Sequence, residues 1–218
     1  MKIDCHIHTF CSVCSSLSLD DLEKKCLERG INAIIIVDHN EIKCAQSAQE
    51  KFKQVKIIVG EEITTTEGEV VGLFLTKRIP PKISLGEAMD LIHAQDGLVC
   101  VPHPFDRSTG RRKALSYDDC LKFKDKIDLV EVFNSRTLLG YYNRKALEFA
   151  KKFNKPMLVG SDAHTKWEIG NAYVEIDEFR SQQEFLNNLK GAKFTKRRTY
   201  LFNFLITFFV RLRKNIED

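Results

Sequence analysis

The sequence predicts an α/β domain with a parallel sheet. Short continuous apolar runs recur along the chain, among them Ala33-Ile34-Ile35-Ile36-Val37, Lys56-Ile57-Ile58-Val59 and Leu129-Val130-Glu131-Val132-Phe133. Such runs mark strands buried on both faces. Segments of helical spacing separate them, and a crossover helix between two strands makes those strands parallel. The runs also stop abruptly in chemically capable groups: Asp38-His39-Asn40, Glu61-Glu62, Pro102-His103-Pro104 and Asp162-Ala163-His164. In parallel α/β folds the loops after the strands share one face, and chemistry gathers there.

In chain order, residues 2–8 form the first strand and residues 9–18 a loop rich in Cys and Ser. A helix follows over 17–29, with Ser18 as N-cap and Gly30 as the stop. The strand at 33–37 leads to a helix at 41–52, and the strand at 56–59 runs into Gly60-Glu61-Glu62-Ile63. Residues 69–76 read as a further strand, and 84–94 as a helix capped by Ser84 with Glu87 at its third position. The second half repeats the rhythm: a strand at 98–101, a polar loop at 106–113 and a short helix at 117–123. A strand at 129–133, a helix at 138–153, strands at 157–159 and 172–176 and a helix at 181–189 complete the set.

The chain has 218 residues, 43% hydrophobic and 29% charged, the balance of a soluble globular enzyme with a full core. A formal net charge of +4 permits anionic substrates without announcing a nucleic-acid binder. Seven cysteines without a repeated spacing fit reduced thiols. The chain opens on a strand without a signal peptide, so a cytoplasmic location is expected. Residues 1–195 are expected to form the barrel or sheet domain, and residues 196–218 a basic and aromatic helical tail.

Of six histidines, only His93 lies inside a helical pattern. Residues two apart on a strand share a face, so His6 and His8 in Asp4-Cys5-His6-Ile7-His8-Thr9 present two imidazoles side by side. Asp4 shares that face and is placed to hold an imidazole N–H. With Asp38, His39, Glu62, His103, Asp162 and His164, eight potential ligands reach one rim of the fold. Imidazoles and carboxylates suit Zn, Mn or Fe, and this number of ligands implies two or three divalent ions, with Glu62 able to bridge two. Closely spaced ions clamp an oxyanion, sharpen a bound water into hydroxide and stabilise a leaving oxygen, which phosphate ester hydrolysis needs together.

The five segments Asp4-Cys5-His6-Ile7-His8-Thr9, Val37-Asp38-His39-Asn40, Gly60-Glu61-Glu62-Ile63, Pro102-His103-Pro104 and Gly160-Ser161-Asp162-Ala163-His164 resemble, in order and spacing, the motifs of the PHP (polymerase and histidinol phosphatase) superfamily. The resemblance implies a distorted (β/α)7 barrel with a metal cluster at the C-terminal ends of the strands and phosphoesterase activity. By that analogy His6, His8, Glu62 and Asp162 hold one ion, Glu62 and His103 help hold a second, and His39 and His164 a third. In relatives the loop after H-x-H offers a His or Asp to the third ion. Here Cys14 stands in that place, as a thiolate ligand or a buried neutral thiol. Where some relatives place a His near residues 69–76, this chain has Glu69 and apolar residues.

Asp38 is read as a ligand, an orienting group or a proton shuttle for the attacking water. Glu131, in the middle of a strand, is costly to bury unless paired, either to the metals' histidines or in a salt bridge. Glu61 faces away from Glu62 and is expected to be solvated or paired. Arg107 and Arg136 follow the rim motifs, and at least one is expected to contact a substrate phosphate. Arg111, Arg112 and Lys113 form a basic cluster on the same long loop.

The expected function is hydrolysis of a phosphate ester of a small metabolite or nucleotide by a metal-bound hydroxide. An exonuclease on short RNA or DNA ends is the second reading, opposed by the mild charge and the missing aromatic–basic platform. A non-catalytic metal-holding domain is the third. The aromatic run within residues 200–213 is too short to span a bilayer and is expected to pack on the barrel, self-associate or lie in an anionic membrane surface.

Overall fold

In a computed structural model of the chain, which describes residues 1–108 and 114–217 (backbone only for 215–217), the apolar runs become the strands of one curved sheet. The basic cluster Arg111-Arg112-Lys113 lies outside the described residues. The strands are β1 (Lys2–Ile7), β2 (Ala33–Ile36), β3 (Lys56–Thr64), β4 (Glu69–Leu73), β5 (Leu98–Val101), β6 (Leu129–Asn134), β7 (Met157–Gly160), β8 (Ala172–Glu175) and β9 (Lys193–Lys196). Their order across the sheet is β7-β6-β5-β4-β3-β2-β1-β8-β9.

The sheet curls until its ends nearly meet. The segment after β7 bonds back to β1, with His8 N donating to Ala163 O at 2.9 Å and Ala163 N to His6 O at 3.3 Å. The start of β1 pairs antiparallel with β8 instead, Ile3 opposite Val174. The result is a distorted barrel of seven strands with β8 and β9 appended at one edge. Closure removes the exposed strand edges that an open sheet must protect. Ile34, Ile35 and Ile36 have no exposed surface, as a strand covered on both faces requires.

Helices α1 (Leu19–Glu28), α2 (Lys43–Lys51), α3 (Leu85–His93), α4 (Tyr117–Lys122), α5 (Gly140–Lys152) and α6 (Gln182–Asn188) accompany the strands. Ser18 and Ser84 cap α1 and α3 by accepting from Asp21 N and Glu87 N. Ser116 and Asp119 form a reciprocal capping box on α4. A final helix, α7 (Leu201–Glu217), follows β9. No helix among the described residues is long and apolar enough to cross a membrane.

The parallel expectation fails at β4, which is antiparallel to both β3 and β5. The link from β3 to β4 is a tight turn closed by Thr65 N donating to Gly68 O at 2.8 Å. A turn that short reverses the chain, because only a long crossover can return it parallel. β8 and β9 are likewise antiparallel to their neighbours. The cysteines also depart from expectation. Cys11 and Cys44 are joined in a disulfide, their Cα atoms 6.1 Å apart across the loop after β1 and the start of α2. The other five are free and buried.

Glu61 is buried, not solvated. Its Oε2 accepts from Ile79 N at 2.7 Å, while Oε1 has no hydrogen-bond partner among the described residues. Burial pushes its carboxyl up from the ordinary 4.5 to about 7, outweighing that hydrogen bond. A carboxyl raised in the folded state favours folding most below its unfolded value and loses that contribution as pH rises through its folded value. Glu61→Gln is therefore expected to flatten the loss of stability between about pH 5 and about pH 8. Chemical denaturation of both proteins across that range checks it, and parallel curves would refute it.

Candidate metal centre

The ligand candidates converge because the strands that carry them end on one rim. His6 and His8 leave β1 on one face, and their Nε2 atoms lie 3.1 Å apart. Asp162 Oδ1 stands 3.7 Å and 3.4 Å from those two nitrogens, and Glu62 Oε2 3.8 Å and 3.3 Å. Donor atoms that share one ion at about 2.0–2.2 Å are separated by about 3.3–3.6 Å along tetrahedral edges, and His6, His8 and Asp162 form a triad close to that spacing. Glu62 turns its other oxygen to His103 Nε2 at 2.8 Å, and His6, Glu62 and His103 form a second possible triad. His8, His39 and His164 form a third, with His39 Nδ1 3.1 Å from Glu62 Oε2. Cys14 is buried on the same cavity wall.

His8, Cys14, His39, Glu62, His103, Asp162 and His164 line one cavity of about 480 Å³, while His6 and Asp38 do not. His6 lies directly behind them against His8. His103 and Asp162 hold left-handed backbone, with φ 28° and 53°, which non-glycine residues adopt where surrounding structure enforces it.

The electrostatics fit cations. Burial alone would lower the His39 imidazole, but the Glu62 carboxylate, helped by Cys14, raises it to about 10. Burial would raise Glu62, yet His39, His103 and His6 hold it well below the usual carboxylate range. His164 is pushed down by burial and then by Arg136. A buried carboxylate balanced by protonated imidazoles is the charge arrangement in which divalent ions displace protons. The nitrogen and oxygen donors present suit such ions.

Other side chains hold the candidates in place. Glu131 Oε1 lies 3.2 Å from His6 Nδ1, while Oε2 accepts from His103 N at 2.6 Å and Asn134 Nδ2 at 3.1 Å. One carboxylate thus orients two imidazole-bearing segments. Gly160 permits this approach, because a Cβ there would collide with His6 Cβ and Glu131 Oε1. Asp4 does not take an imidazole: it accepts from Ser161 N at 3.0 Å and Gly170 N at 2.8 Å, bracing the loop that carries Asp162.

Asp38 sits beneath the rim. Its carboxylate accepts from Thr9 N at 2.7 Å, Thr9 Oγ1 at 2.6 Å and Ser12 Oγ at 2.6 Å. Ser12 Oγ is in turn 3.3 Å from His8 Nδ1, so Asp38 reaches the centre through Ser12. Arg136 lines the cavity with its Nη1 held by both oxygens of Glu168, at 3.0 Å and 3.1 Å. Arg107 is exposed and does not line the cavity. Two carboxylates passed over as site members in the sequence do belong to the region. Glu69 lines the cavity, and Glu168 also accepts from His164 N at 3.1 Å. Glu168 carries no motif that could have flagged it.

A family model described as PHP-associated matches residues 140–194. In the solved structures, the fold superposes on a two-domain protein from Bacteroides vulgatus containing a predicted PHP-like metal-dependent phosphoesterase. The TM-score is 0.72 at 18% identity, over 90% of this chain and 65% of that one. The matched segment is thus that of a PHP-associated family, and the fold is that of a PHP-like protein. The chain spans just under two thirds of that two-domain PHP protein. PsfC from Pseudomonas syringae shares the fold over 100% of this chain and 98% of its own, with TM-score 0.67 and 14% identity. By sequence, the chain is 42% identical to the uncharacterized protein MJ0417 of Methanocaldococcus jannaschii, over 87% of this chain and 79% of that protein.

Proposed function

We propose that this chain is a metal-dependent phosphoesterase that hydrolyses a phosphate ester of a small metabolite or nucleotide. The observation that carries the reading is the convergence of His6, His8 and Asp162 at ligand spacing, with Glu62 beside both imidazoles, directly at one cavity that His8, Glu62 and Asp162 line. Divalent ions of the Zn, Mn or Fe kind supply Lewis acidity and water activation in such a cage. His6, His8, Glu62 and Asp162 would hold one, Glu62 and His103 a second, and His39, His164 and Cys14 a third. Glu131 and the Asp38–Ser12 pair keep the imidazoles aimed inward, so little reorganisation is needed when substrate arrives. The Arg136 guanidinium, fixed beside His164 by Glu168, places permanent positive charge next to the position for phosphoryl oxygens.

The cavity's size suits a small ester better than a polynucleotide strand, since it falls in the range of ordinary small-molecule sites. The test is metal analysis of the purified chain, followed by a Mn-supplemented screen of phosphorylated metabolites beside a labelled oligonucleotide. Phosphate release from at least one monoester, abolished by chelation, is expected. Metal-loaded protein that releases none would overturn the reading, and shortening of the oligonucleotide alone would replace it with a nuclease.

A further inference from the structure

Helix α7 forms the roof of the metal centre. Its polar side is docked on the barrel, with Asn203 Oδ1 accepting from Thr165 Oγ1 at 3.1 Å and Thr207 Oγ1 accepting from Arg136 Nη2 at 3.0 Å. Its last turn is pinned by Lys214, whose Nζ donates to the carbonyls of Phe10, Ser12 and Ser15 at 2.7 Å, 2.9 Å and 2.8 Å. Those residues belong to the loop that carries Cys14. The helix is thereby held across the cavity at both ends.

The inner face so presented is apolar. Leu201, Phe204, Leu205 and Phe208 recur at helical spacing and line the cavity opposite the imidazoles and carboxylates. Leu201, Leu205 and Phe208 keep 72%, 61% and 39% of their surface accessible, so a ligand has apolar area to cover there. Beside them lies Arg211, whose Nε is buried with no hydrogen-bond partner among the described residues. A buried N–H without an acceptor costs free energy that an anionic ligand would recover. Arg136, by contrast, already directs Nη1 to Glu168 and Nη2 to Thr207 and stacks 4.5 Å over the Phe204 ring.

We propose that the substrate is a phosphate monoester of an apolar, aryl or alkyl alcohol, whose organic group lies against the inner face of α7 while Arg211 donates to its anionic end. This rests on the phosphoesterase reading and narrows it: a cavity with a cation-binding floor and an apolar roof selects a ligand with the same two halves. Nothing beyond the resident chemistry of that site is required.

The test is calorimetric titration of the Mn-loaded chain with three non-hydrolysable probes: inorganic phosphate, methylphosphonate and phenylphosphonate. Phenylphosphonate is expected to bind at least about tenfold more tightly than methylphosphonate, because ring burial on apolar side chains supplies that much readily. Arg211→Met should weaken all three by about fivefold or more, with Arg211→Lys intermediate. Leu205→Ser should bring the phenyl-to-methyl ratio toward one. Melting curves of the variants report whether they fold, and Arg211→Lys keeps the test alive if Arg211→Met does not. Equal affinity for the two phosphonates, or an Arg211→Met affinity matching the parent, would overturn this inference and leave the phosphoesterase reading standing. Failure of the metal-loaded parent to bind any of the three probes would remove both.

Discussion

Glu62→Gln is expected to lower phosphoesterase kcat/KM by at least about 10³-fold, since loss of one contact to a developing oxyanion alone costs about 10²–10³. Glu62 is the side chain shared by every part of the cage. Oε2 faces His39, His8 and His6, and Oε1 faces His103. Gln preserves shape but removes the charge and replaces one acceptor by an N–H₂ group that repels a cation. Metal content should fall by at least one ion per chain while the melting temperature of the ion-free protein stays near that of the parent. Glu131→Gln is the control for position. It touches His6 Nδ1 and the His103 backbone without facing the cage, so the expected loss is only about 10–100-fold. Equal losses for the two variants would mean that Glu62 orients ligands and does not itself bind ions.

How much of this centre could be read from the residues depended on whether its signal was local. His6 and His8 were legible because strand periodicity alone puts both on one face. Glu62, His103, Asp162 and His164 were legible because each closes an apolar run, and parallel topology sends such ends to one rim. β4 misled because strand composition says nothing of direction, which the turn at Thr65–Gly68 decides. The Cys11–Cys44 bond was hidden for a similar reason: 33 positions apart, the two are neighbours only once β1 and β2 lie side by side. For α7 the apolar spacing was visible, but which surface it would cover was not. Its placement follows from Asn203, Thr207 and Lys214, each an ordinary polar residue until its partner is known.

Glu168 is the sharpest case of that kind, and Glu168→Ala is expected to destabilise the protein by about 3–5 kcal/mol, the usual effect of stranding one member of a buried ion pair. Both partners are nearly inaccessible, Glu168 at 0% and Arg136 at 4% exposure, so the guanidinium left behind finds little solvent. The carboxylate also receives Thr165 Oγ1 at 3.1 Å and Thr199 Oγ1 at 2.7 Å, joining the loop after β7 to the segment that enters α7. For a chain of this length each kcal/mol corresponds to about 2–4 °C, so calorimetry should show a fall of roughly 10 °C. Glu168→Gln keeps acceptor capacity and should lose less. Because Arg136 also anchors Thr207, protease cleavage near residues 197–200 should accelerate in Glu168→Ala as α7 loosens. An unchanged melting temperature would mean that water reaches Arg136 freely and that the roof is held from its Lys214 end alone.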